Sequence, residues 1–315
     1  MKVAIQYSSV CAPLDYVASM VSWIGCKIER FPSYDIGDGD VVVMWSGMNL
    51  NQKQHRMAHP GQRYLFLENG WSPQRPCWQM DYLGINALAS WAVSPVQIEE
   101  SSCLETNRFD PKAPVLVVLQ DDKDAQIIEP SLSPAFHSMA QWLQFLADEA
   151  PGPMIIRKHP AANVSTEALG IVEACERMSW DESDSLEEAA AGASAMLTVN
   201  SSCGVHALQK GMPLLTFGNS VWSSVLGASY DILYGAGGLA EAVGTALAEV
   251  RKGECSLNAL AQFYALRRIL SNQWWLNESL PMQMERMLGR YDLIQSGAHK
   301  RGRSWIPINN GHQNS

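Results

Sequence analysis

Short apolar runs that alternate with helix-like segments constrain the fold of this sequence most strongly. Examples are Val3–Tyr7, Val41–Trp45 and Val115–Leu119, which have the length of strands and are each followed by polar residues. Strands of nearly continuous apolar character belong to parallel sheets that helices cover on both faces. The pattern therefore predicts an α/β fold. A length of 315 residues, 47% of them hydrophobic, suffices for one large or two medium domains.

The first candidate ligand site follows the apolar run Ala195–Val199. Five small or polar residues come after it, Asn200-Ser201-Ser202-Cys203-Gly204, and a helical pattern then begins. Such a corner lies at the carboxyl edge of a parallel sheet, where ligands bind, and the free N–H groups of a helix start suit a phosphate. Ser201 and Ser202 either cap the helix or also donate hydroxyls to an anion, and Gly204 lets a ligand approach the backbone.

A basic motif stands at the end of an earlier strand, Met154–Ile156. It reads Arg157-Lys158-His159-Pro160 and supplies two fixed cations and one imidazole. Together with the serine corner it predicts an anion pocket. His206 either faces that pocket or is a core histidine, and the loop from Gly218 to Trp222 is predicted to close over a nucleotide.

In the first part of the chain, Glu68 follows the predicted strand Tyr64–Leu67 and precedes Asn69 and Trp71. A carboxylate at the carboxyl end of a strand is either a catalytic or binding group or a loop anchor that accepts backbone N–H bonds. A second polar loop, from Asp81 to Asn86, is predicted to face the same cleft.

The run Val115–Leu119 ends in an acidic segment, Gln120-Asp121-Asp122-Lys123-Asp124. Carboxylates this closely spaced cannot all be buried in ionised form without partners. The segment is therefore either solvated or built around a cation or a reaction centre.

Composition narrows the class of protein. The seven cysteines include no CxxC pair, so the sequence supports neither a disulfide framework nor a paired-knuckle zinc site, and we expect no bound metal. A formal charge of −9 argues against a protein that coats nucleic acid, although one groove could still be basic. No uncharged apolar run reaches about 18 residues, which predicts a chain without a membrane span in a bacterial or phage-infected host cytoplasm.

The polar, turn-rich stretch 99–113 is interpreted as a connection between domains. We expect an N-terminal domain over 1–110, a C-terminal domain over 111–295 and a mobile basic tail over 296–315. The tail either grips nucleic acid or is simply solvated.

The run from Arg157 to Trp222 resembles the C-terminal half of the capsule polysaccharide biosynthesis family, which includes bacterial Kdo transferases. Three further places resemble the family in its order: Leu67–Trp71 with Asp81–Asn86, Leu119–Asp124 and Phe263–Arg268. The resemblance covers about residues 63–275 and implies a GT-B-like fold with two Rossmann-like domains facing across a cleft. The family often has Lys-Pro-His-Pro where this chain has Arg157-Lys158-His159-Pro160, so the basic role would pass to Arg157.

The resemblance also implies a glycosyltransferase that uses a nucleotide-sugar donor linked to CMP, UDP or GDP and no bound cofactor. Asp124 is the candidate nucleophile of a retaining reaction, whereas an inverting reaction would use Asp124 or Glu68 as the base. The implied donor-binding residues are Gln120, Arg157, Lys158, His159, Asn200, Ser201, Ser202, Gly204, His206 and Gly218. The implied acceptor-binding residues are Asn69, Trp71, Asp81 and Asn86.

Three functions remain open at this point. The first is transfer to a glycan such as a surface polysaccharide, and the second is a phage-type transfer to 5-hydroxymethylcytosine or 5-hydroxymethyluracil in DNA. The second needs a groove that contacts phosphates and a base taken out of the stack. The third is a noncatalytic module that binds a sugar or a nucleotide.

Overall fold

The computed structural model describes residues 2–7, 12–23, 26–32, 36–46, 50–70, 77–82, 85–89, 92, 109–130, 132–222, 239–252 and 273–275. The predicted tail, 296–315, lies outside them. Two compact units share the chain: Met1–Trp91 with Ile269–Ser315 form the first, and Ala92–Arg268 form the second. Among the described residues, no helix combines the length and the apolar character needed to cross a membrane.

The first unit contains a six-stranded sheet. Its elements are β1 (Lys2–Tyr7), α1 (Ala12–Trp23), β2 (Lys27–Pro32), β3 (Val41–Trp45), α2 (Leu50–Ala58), β4 (Arg63–Asn69), β5 (Cys77–Asp81), a 3-10 helix (Asn86–Leu88) and, much later, β11 (Gln273–Trp275). The strand order is β11-β5-β4-β3-β1-β2. Strands β1 to β4 are parallel as predicted, whereas β5 runs antiparallel to β4 and β11 antiparallel to β5.

Helices cover both faces of this sheet. On one face, Val3, Ile5 and Val43 pack with Leu14 and Val21 of α1. On the other face, α2 is tied to the strands by polar contacts: Gln52 Nε2 donates to the Trp45 carbonyl (2.9 Å) and His55 Nδ1 bonds the Tyr64 hydroxyl (2.9 Å). Because α1 and α2 lie on opposite faces, the strands β1, β3 and β4 are buried along most of their length.

The second unit contains a five-stranded, fully parallel sheet. Its elements are β6 (Val115–Val118), α3 (Ala125–Ile128), α4 (Met139–Glu149), β7 (Met154–Arg157), α5 (Thr166–Ala174), β8 (Met178–Trp180), α6 (Leu186–Ala191), β9 (Met196–Thr198), α7 (Gly204–Lys210), β10 (Leu214–Thr216) and α8 (Leu239–Lys252). The strand order is β10-β9-β6-β7-β8. The chain proceeds outward through β7 and β8 and returns to place β9 on the other side of β6. The carboxyl ends of β6 and β9 are thus a topological switch point, where open α/β sheets bind ligands.

The hydrophobic core of the second unit holds these strand ends in place. Val117, Leu197 and Phe217 pack with Trp142 of α4 and Leu247 of α8, all nearly inaccessible to solvent. The Ser138 side chain caps α4 by accepting the Gln141 N–H (3.2 Å). This core supports the edge from which the candidate site residues project.

The domain division differs in one respect from the sequence-based prediction. The predicted C-terminal domain ran without interruption to residue 295, whereas β11 pairs with β5 in the first sheet. A three-residue strand that contains two tryptophans gives too short a pattern to assign to a distant sheet. Most residues between 91 and 109 lie outside the described part of the chain, so the boundary at residue 110 stays a prediction.

Candidate active site

Two side-chain amides connect the ends of β6 and β9 at the switch point of the second unit. Gln120 follows β6 and Asn200 follows β9, and each side chain bonds the other residue. Gln120 Nε2 donates to Asn200 Oδ1 (2.9 Å), and the Asn200 backbone N–H donates to Gln120 Oε1 (3.0 Å). Both residues are only 6% exposed. The two predicted donor-binding amides therefore bond each other.

Asp124 lies on the loop after β6 and precedes the single turn of α3. Its Oδ1 accepts the Gln126 N–H (2.9 Å), and its carbonyl accepts the Ile127 N–H (2.9 Å). Burial raises the pKa of Asp124 above its usual range, and the Asp121 charge adds to this, while the Gln126 N–H and the His159 charge oppose it. A half-buried carboxylate with a raised pKa can carry out proton transfer or nucleophilic attack.

The neighbouring acidic residues are held by backbone N–H groups. Asp121 Oδ1 accepts the Lys123 N–H (3.0 Å), and Asp122 Oδ1 accepts the Met139 N–H (2.5 Å). Within the described residues, no group of three or more His, Cys, Asp or Glu side chains is arranged to hold a metal ion. Backbone N–H groups of the loop itself and of α4 thus hold Asp121 and Asp122.

His159 follows β7 and is an electrostatic neighbour of Asp124. The Ala161 backbone N–H donates to His159 Nδ1 (3.2 Å). An N–H group can only donate, so the tautomer that makes this bond carries its proton on Nε2. Together with Gln120, Asp122 and Ser165, His159 lines a small pocket. The imidazole can thus present an N–H donor within electrostatic range of the Asp124 carboxylate.

The other two members of the basic motif have partners elsewhere. The Arg157 guanidinium bonds the Asp181 carboxylate and donates to the Ser183 carbonyl (3.2 Å). Lys158 Nζ lies 4.4 Å from the centroid of the Trp180 ring. The predicted pocket of three convergent basic groups needs correction, because an ion pair and a cation–π contact engage two of them.

Asp181 is part of the same arrangement at the end of β8. Burial acts to raise the pKa of Asp181, but the Ser183 N–H, the Ser183 hydroxyl and the Arg157 guanidinium outweigh it and lower that pKa. The sequence analysis missed this residue. Its position directly after a strand is the same signal that singled out Glu68 and Gln120.

The serine corner differs in detail from the prediction. The N-cap of α7 is Cys203, whose side chain makes no capping bond, whereas Ser201 Oγ accepts the Cys203 N–H (3.2 Å). The carbonyl of Ser202 accepts the Val205 N–H (3.0 Å). Burial raises the pKa of the Cys203 thiol, while the Ser201 hydroxyl and the Arg157 charge oppose that rise. Arg157 is therefore an electrostatic neighbour of this corner.

Two glycines that the resemblance assigned to donor binding are required by protein contacts as well. A Cβ on Gly204 would lie 2.4 Å from the Trp222 ring, and a Cβ on Gly218 would lie 2.5 Å from the Leu132 carbonyl oxygen. Trp222 is 1% exposed. The prediction that the loop from Gly218 to Trp222 closes over a nucleotide needs correction for Trp222, whose ring is buried against Gly204.

His206 lies beside an ion pair. Its electrostatic neighbours are Lys210 and Glu187, which form a salt bridge of 2.5 Å. Burial lowers the pKa of His206, the Lys210 charge lowers it further, and Glu187 opposes both. Its Nε2 atom is buried without a hydrogen-bond partner. His206 is half-buried, so both interpretations of this residue stay predictions.

In the first unit, Glu68 and Asn69 are the last two residues of β4. Glu68 Oε1 accepts both the backbone N–H (2.8 Å) and the side-chain amide (3.1 Å) of Asn69. Gln79 Nε2 donates to the Asn69 carbonyl (3.0 Å), while Asn69 Oδ1 is buried without a hydrogen-bond partner. Glu68 therefore anchors local backbone, as one of the two interpretations expected. It also lies at the carboxyl edge of the first sheet, as predicted.

The predicted second polar loop does not follow Glu68 to that edge. Asp81 is paired with Phe66 in the antiparallel β4–β5 ladder and is buried, and Asn86 begins the 3-10 helix beyond it. Because β5 runs antiparallel to β4, the chain after Asp81 leaves the sheet towards the amino end of β4. Trp71 lies outside the described residues.

Two further residues at the carboxyl edge of the first sheet were missed. Tyr7 ends β1 and is 53% exposed. Ser46 follows β3 with a φ of 61°, and its N–H donates to the Leu67 carbonyl (2.7 Å). A left-handed serine at a strand end has no sequence signature that separates it from an ordinary turn. Tyr7 did carry a signal, because it is a polar aromatic residue that ends an apolar strand.

Comparison with known proteins identifies one family. The family described as "Capsule polysaccharide biosynthesis protein" matches residues 91–232. No curated protein sequence matches the chain.

Two solved structures from Thermosulfurimonas dismutans share the fold. The KpsC beta Kdo 2,7 transferase has 14% sequence identity and a TM-score of 0.51, with 84% of this chain and 100% of that chain covered. The KpsC beta Kdo 2,4 transferase has 14% identity and a TM-score of 0.50, with 92% and 98% covered. The predicted GT-B-like α/β class with two Rossmann-like units is thereby confirmed. The resemblance to the capsule polysaccharide biosynthesis family is confirmed as well, through the match over residues 91–232.

Proposed function

We propose that this protein is a glycosyltransferase that moves a sugar from a nucleotide-sugar donor to an acceptor hydroxyl, with Asp124 as the reacting carboxylate. The observation that carries the proposal is the position of Asp124. This half-buried carboxylate has a raised pKa and stands after β6, beside the switch point and next to His159. The family match over residues 91–232 includes this region.

The proposed reaction is a double displacement. Ionised Asp124 attacks the anomeric carbon, a bond from this carbon to a carboxylate oxygen forms, and the bond to the donor phosphate oxygen breaks. The acceptor hydroxyl then attacks the same carbon, gives up its proton to a base and releases the carboxylate. An inverting reaction would instead use Asp124 as a base towards the acceptor.

His159 is proposed to stabilise the leaving phosphate. Its neutral tautomer presents a proton on Nε2, since Nδ1 accepts the Ala161 N–H. A hydrogen bond from Nε2 to the phosphate oxygen would strengthen as charge develops there. Ser201, whose hydroxyl accepts the Cys203 N–H, is proposed to turn its own O–H from the Cys203 thiol to the phosphate when the donor binds.

A glycan is the acceptor class that we favour. The described loops at the carboxyl edge of the second sheet carry six carboxylates, on Asp121, Asp122, Asp124, Asp181, Glu182 and Asp184, against the three fixed cations Lys123, Arg157 and Lys158. This excess of negative charge supports a glycan acceptor, because a polyanion such as DNA would bring many phosphates towards it, whereas the donor brings one or two. A neutral glycan hydroxyl meets no such barrier.

The acceptor is proposed to bind the first unit at the carboxyl ends of β1, β3 and β4. Tyr7 offers an exposed aromatic face, and Glu68 and Asn69 offer polar groups. Exposed aromatic rings beside carboxylates and amides suit the apolar faces and hydroxyls of sugars. In this proposal, Tyr7 and Ser46 replace Asp81 and Asn86, which lie beyond the antiparallel turn of the sheet.

A transfer assay tests the proposal. CMP-, UDP- and GDP-sugars are each offered with glycan acceptors and with DNA that contains 5-hydroxymethylcytosine, and products are analysed by mass spectrometry. We expect sugar mass on a glycan, its loss in Asp124→Asn, and its retention in Asp184→Asn, a control that removes an exposed carboxylate from the same sheet edge. A covalent sugar on the Asp124 peptide would identify the retaining reaction.

The other outcomes are equally informative. Sugar mass on a nucleoside would move the acceptor to DNA. No turnover and no donor binding by the unmodified chain would remove the glycosyltransferase proposal and favour a noncatalytic binding module. Full activity in Asp124→Asn would remove Asp124 from the chemistry.

A further inference from the structure

Asn200 occupies the centre of a buried network at the switch point. We propose that Asn200 and its partner Gln120 are positioning residues, which hold the loop that carries Asp124 and do not bind the donor. The inference rests on the proposed function of Asp124 and departs from the donor-binding role that the sequence resemblance implied for both amides.

All polar groups of the Asn200 side chain have partners within the protein. Its Oδ1 accepts from Gln120 Nε2 (2.9 Å), and its Nδ2 donates to the carbonyls of Gln126 (2.9 Å) and Leu132 (3.1 Å). An amide nitrogen has two hydrogens, so both are used. The residue is 6% exposed. Asn200 therefore has no hydrogen left to donate to a sugar or a phosphate.

The network reaches Asp124 through one residue. The Gln126 carbonyl accepts from Asn200 Nδ2, and the Gln126 N–H donates to Asp124 Oδ1 (2.9 Å). The backbone of Gln126 is thus held on one side by Asn200 and holds the carboxylate on the other. Displacing Asn200 would release the carbonyl of Gln126, the residue whose N–H orients Asp124.

The same side chain also secures the far end of the loop. The Leu132 carbonyl accepts from Asn200 Nδ2 and from the Asn219 N–H (2.8 Å). Gly218 permits this approach, since a Cβ there would lie 2.5 Å from the Leu132 oxygen and 3.1 Å from Asn200 Nδ2. The segment from Asp124 to Leu132 is therefore fastened at both ends to residues that follow β9 and β10.

The chemical value of such a network is precision. A reacting carboxylate that moves by about 1 Å loses on the order of 100-fold in rate, because the attack needs short distances and aligned orbitals. Buried partners that hold a reacting group typically contribute about 10–100-fold. The expected signature of losing Asn200 is a fall in kcat with little change in the donor KM.

The first experiment compares Asn200→Ala with Ser194→Ala. Ser194 is also buried, and its hydroxyl bonds the Pro114 carbonyl (3.3 Å) at the amino end of the strands, so its loss costs stability away from the site. We expect Asn200→Ala to lower kcat by about 10–100-fold, to change the donor KM by less than about 3-fold and to shift the acidic limb of the pH profile. Ser194→Ala should keep the profile of the unmodified chain.

A second readout does not depend on turnover. Titration of carboxyl-¹³C-labelled aspartates by NMR, with Asp124→Asn to identify the resonance, follows the protonation of Asp124 directly. A loosened loop admits water, which lowers the pKa of Asp124, while a weaker Gln126 N–H bond acts to raise it. Because burial is the larger of the two effects, the pKa of Asp124 should move down in Asn200→Ala and stay in place in Ser194→Ala. If no donor is turned over but this shift is seen, the proposed function fails and the positioning role stands.

Two results would overturn the inference. One is an unchanged Asp124 titration in a folded Asn200→Ala variant. The other is a large rise in the donor KM with kcat intact, which would make Asn200 a donor ligand. If Asn200→Ala does not fold, Gln120→Met takes its place, because it keeps the side-chain volume and removes the bond to Asn200 Oδ1; it faces the same two criteria.

Discussion

The guanidinium of Arg157 is bonded to the carboxylate of Asp181, so that the carboxyl ends of β7 and β8 are joined by an ion pair. The side chains are 20% and 4% exposed. Water screens such a pair weakly, and each partner would be costly to leave alone. The charge of Arg157 is therefore largely neutralised by Asp181. This assigns Arg157 a structural role, in which it holds the ends of β7 and β8 together.

Removing Arg157 should destabilise the second unit. In Arg157→Met, the Asp181 carboxylate keeps the Ser183 N–H (3.0 Å) but loses its charged partner, and we expect a loss of about 1.5–3 kcal/mol in urea unfolding at pH 7. Lys158→Ala is the matched control, since the exposed Lys158 contributes a cation–π contact of about 0.5–1 kcal/mol. Equal losses in the two variants would contradict a structural ion pair.

The same pair makes a prediction about pH. Because the folded pKa of Asp181 is lowered, its stabilising contribution is present above the unfolded value of about 3.9 and is lost as the pH falls through the folded pKa. The unmodified chain and Asp181→Asn should therefore differ at pH 7 and converge in acid. Unfolding curves from pH 7 down to the lowest pH at which both are folded would show this. A constant difference would mean that Asp181 acts without its charge.

Asp124 is expected to trade stability for activity. Its pKa is raised by burial, so the ionised form destabilises the folded state as the pH rises through the folded pKa. Asp124→Asn should raise the free energy of unfolding at pH 7 by about 0.5–2 kcal/mol and lose this gain below about pH 4. Its transfer rate should fall by about 10³-fold or more. A stability loss at pH 7 would indicate that Asp124 mainly caps α3.

Gly204 should be sensitive to a single methyl group. A Cβ there would lie 2.4 Å from the buried Trp222 ring, so Gly204→Ala should cost about 1–3 kcal/mol. Gly170 is the control, because it lies inside α5 and a Cβ there meets nothing within 4 Å. Gly170→Ala should stabilise the chain by about 0.5–1 kcal/mol. Thermal unfolding of both variants measures these two changes in stability. Equal changes in the two variants would contradict the prediction.

The interpretation of His206 as a core histidine can be tested by His206→Leu. Its folded pKa is lowered, so the stability that its neutral form allows is kept above about pH 6.5 and lost as the pH falls. At pH 7, the variant should unfold at nearly the same urea concentration as the unmodified chain. Between pH 7 and pH 5, its unfolding midpoint should change less than that of the unmodified chain. Transfer activity should be retained. A rise in the donor KM of more than about tenfold would restore His206 to the donor site.

Much of the architecture was accessible from the sequence. Runs such as Val115–Leu119 are apolar along their whole length, and this property depends only on burial on both faces of a sheet. The carboxyl ends of parallel strands meet at one edge, so residues after the runs could be assigned to a common edge without knowing the strand order. His159 and Asn200 were singled out in this way, whereas Gln120 and Asp124 were selected through the resemblance to the capsule polysaccharide biosynthesis family. All four follow strands of the second sheet.

What sequence reasoning could not supply was the direction of side chains and of edge strands. The sequence around Arg157 looks the same whether its side chain faces a ligand or Asp181. Asp181 is 24 residues away, and only the pairing of β7 with β8 brings the two residues together. The Asp81 loop was placed at the wrong edge because the direction of β5 depends on which strand it pairs with. Gly204 looked like a ligand contact because the sequence does not show that Trp222 fills the space.

The late strand β11 has a consequence for how the chain is made. Residues 273–275 pair with β5, although the rest of that sheet comes from residues 2–81. During synthesis, the ribosome must therefore add nearly 200 further residues before the outer edge of β5 receives its neighbour. Until then, that edge offers unpaired backbone groups to any other nascent strand. The first unit to begin folding is in this way the last to be completed, and a chain that stops short of residue 273 leaves the ribosome with an open sheet.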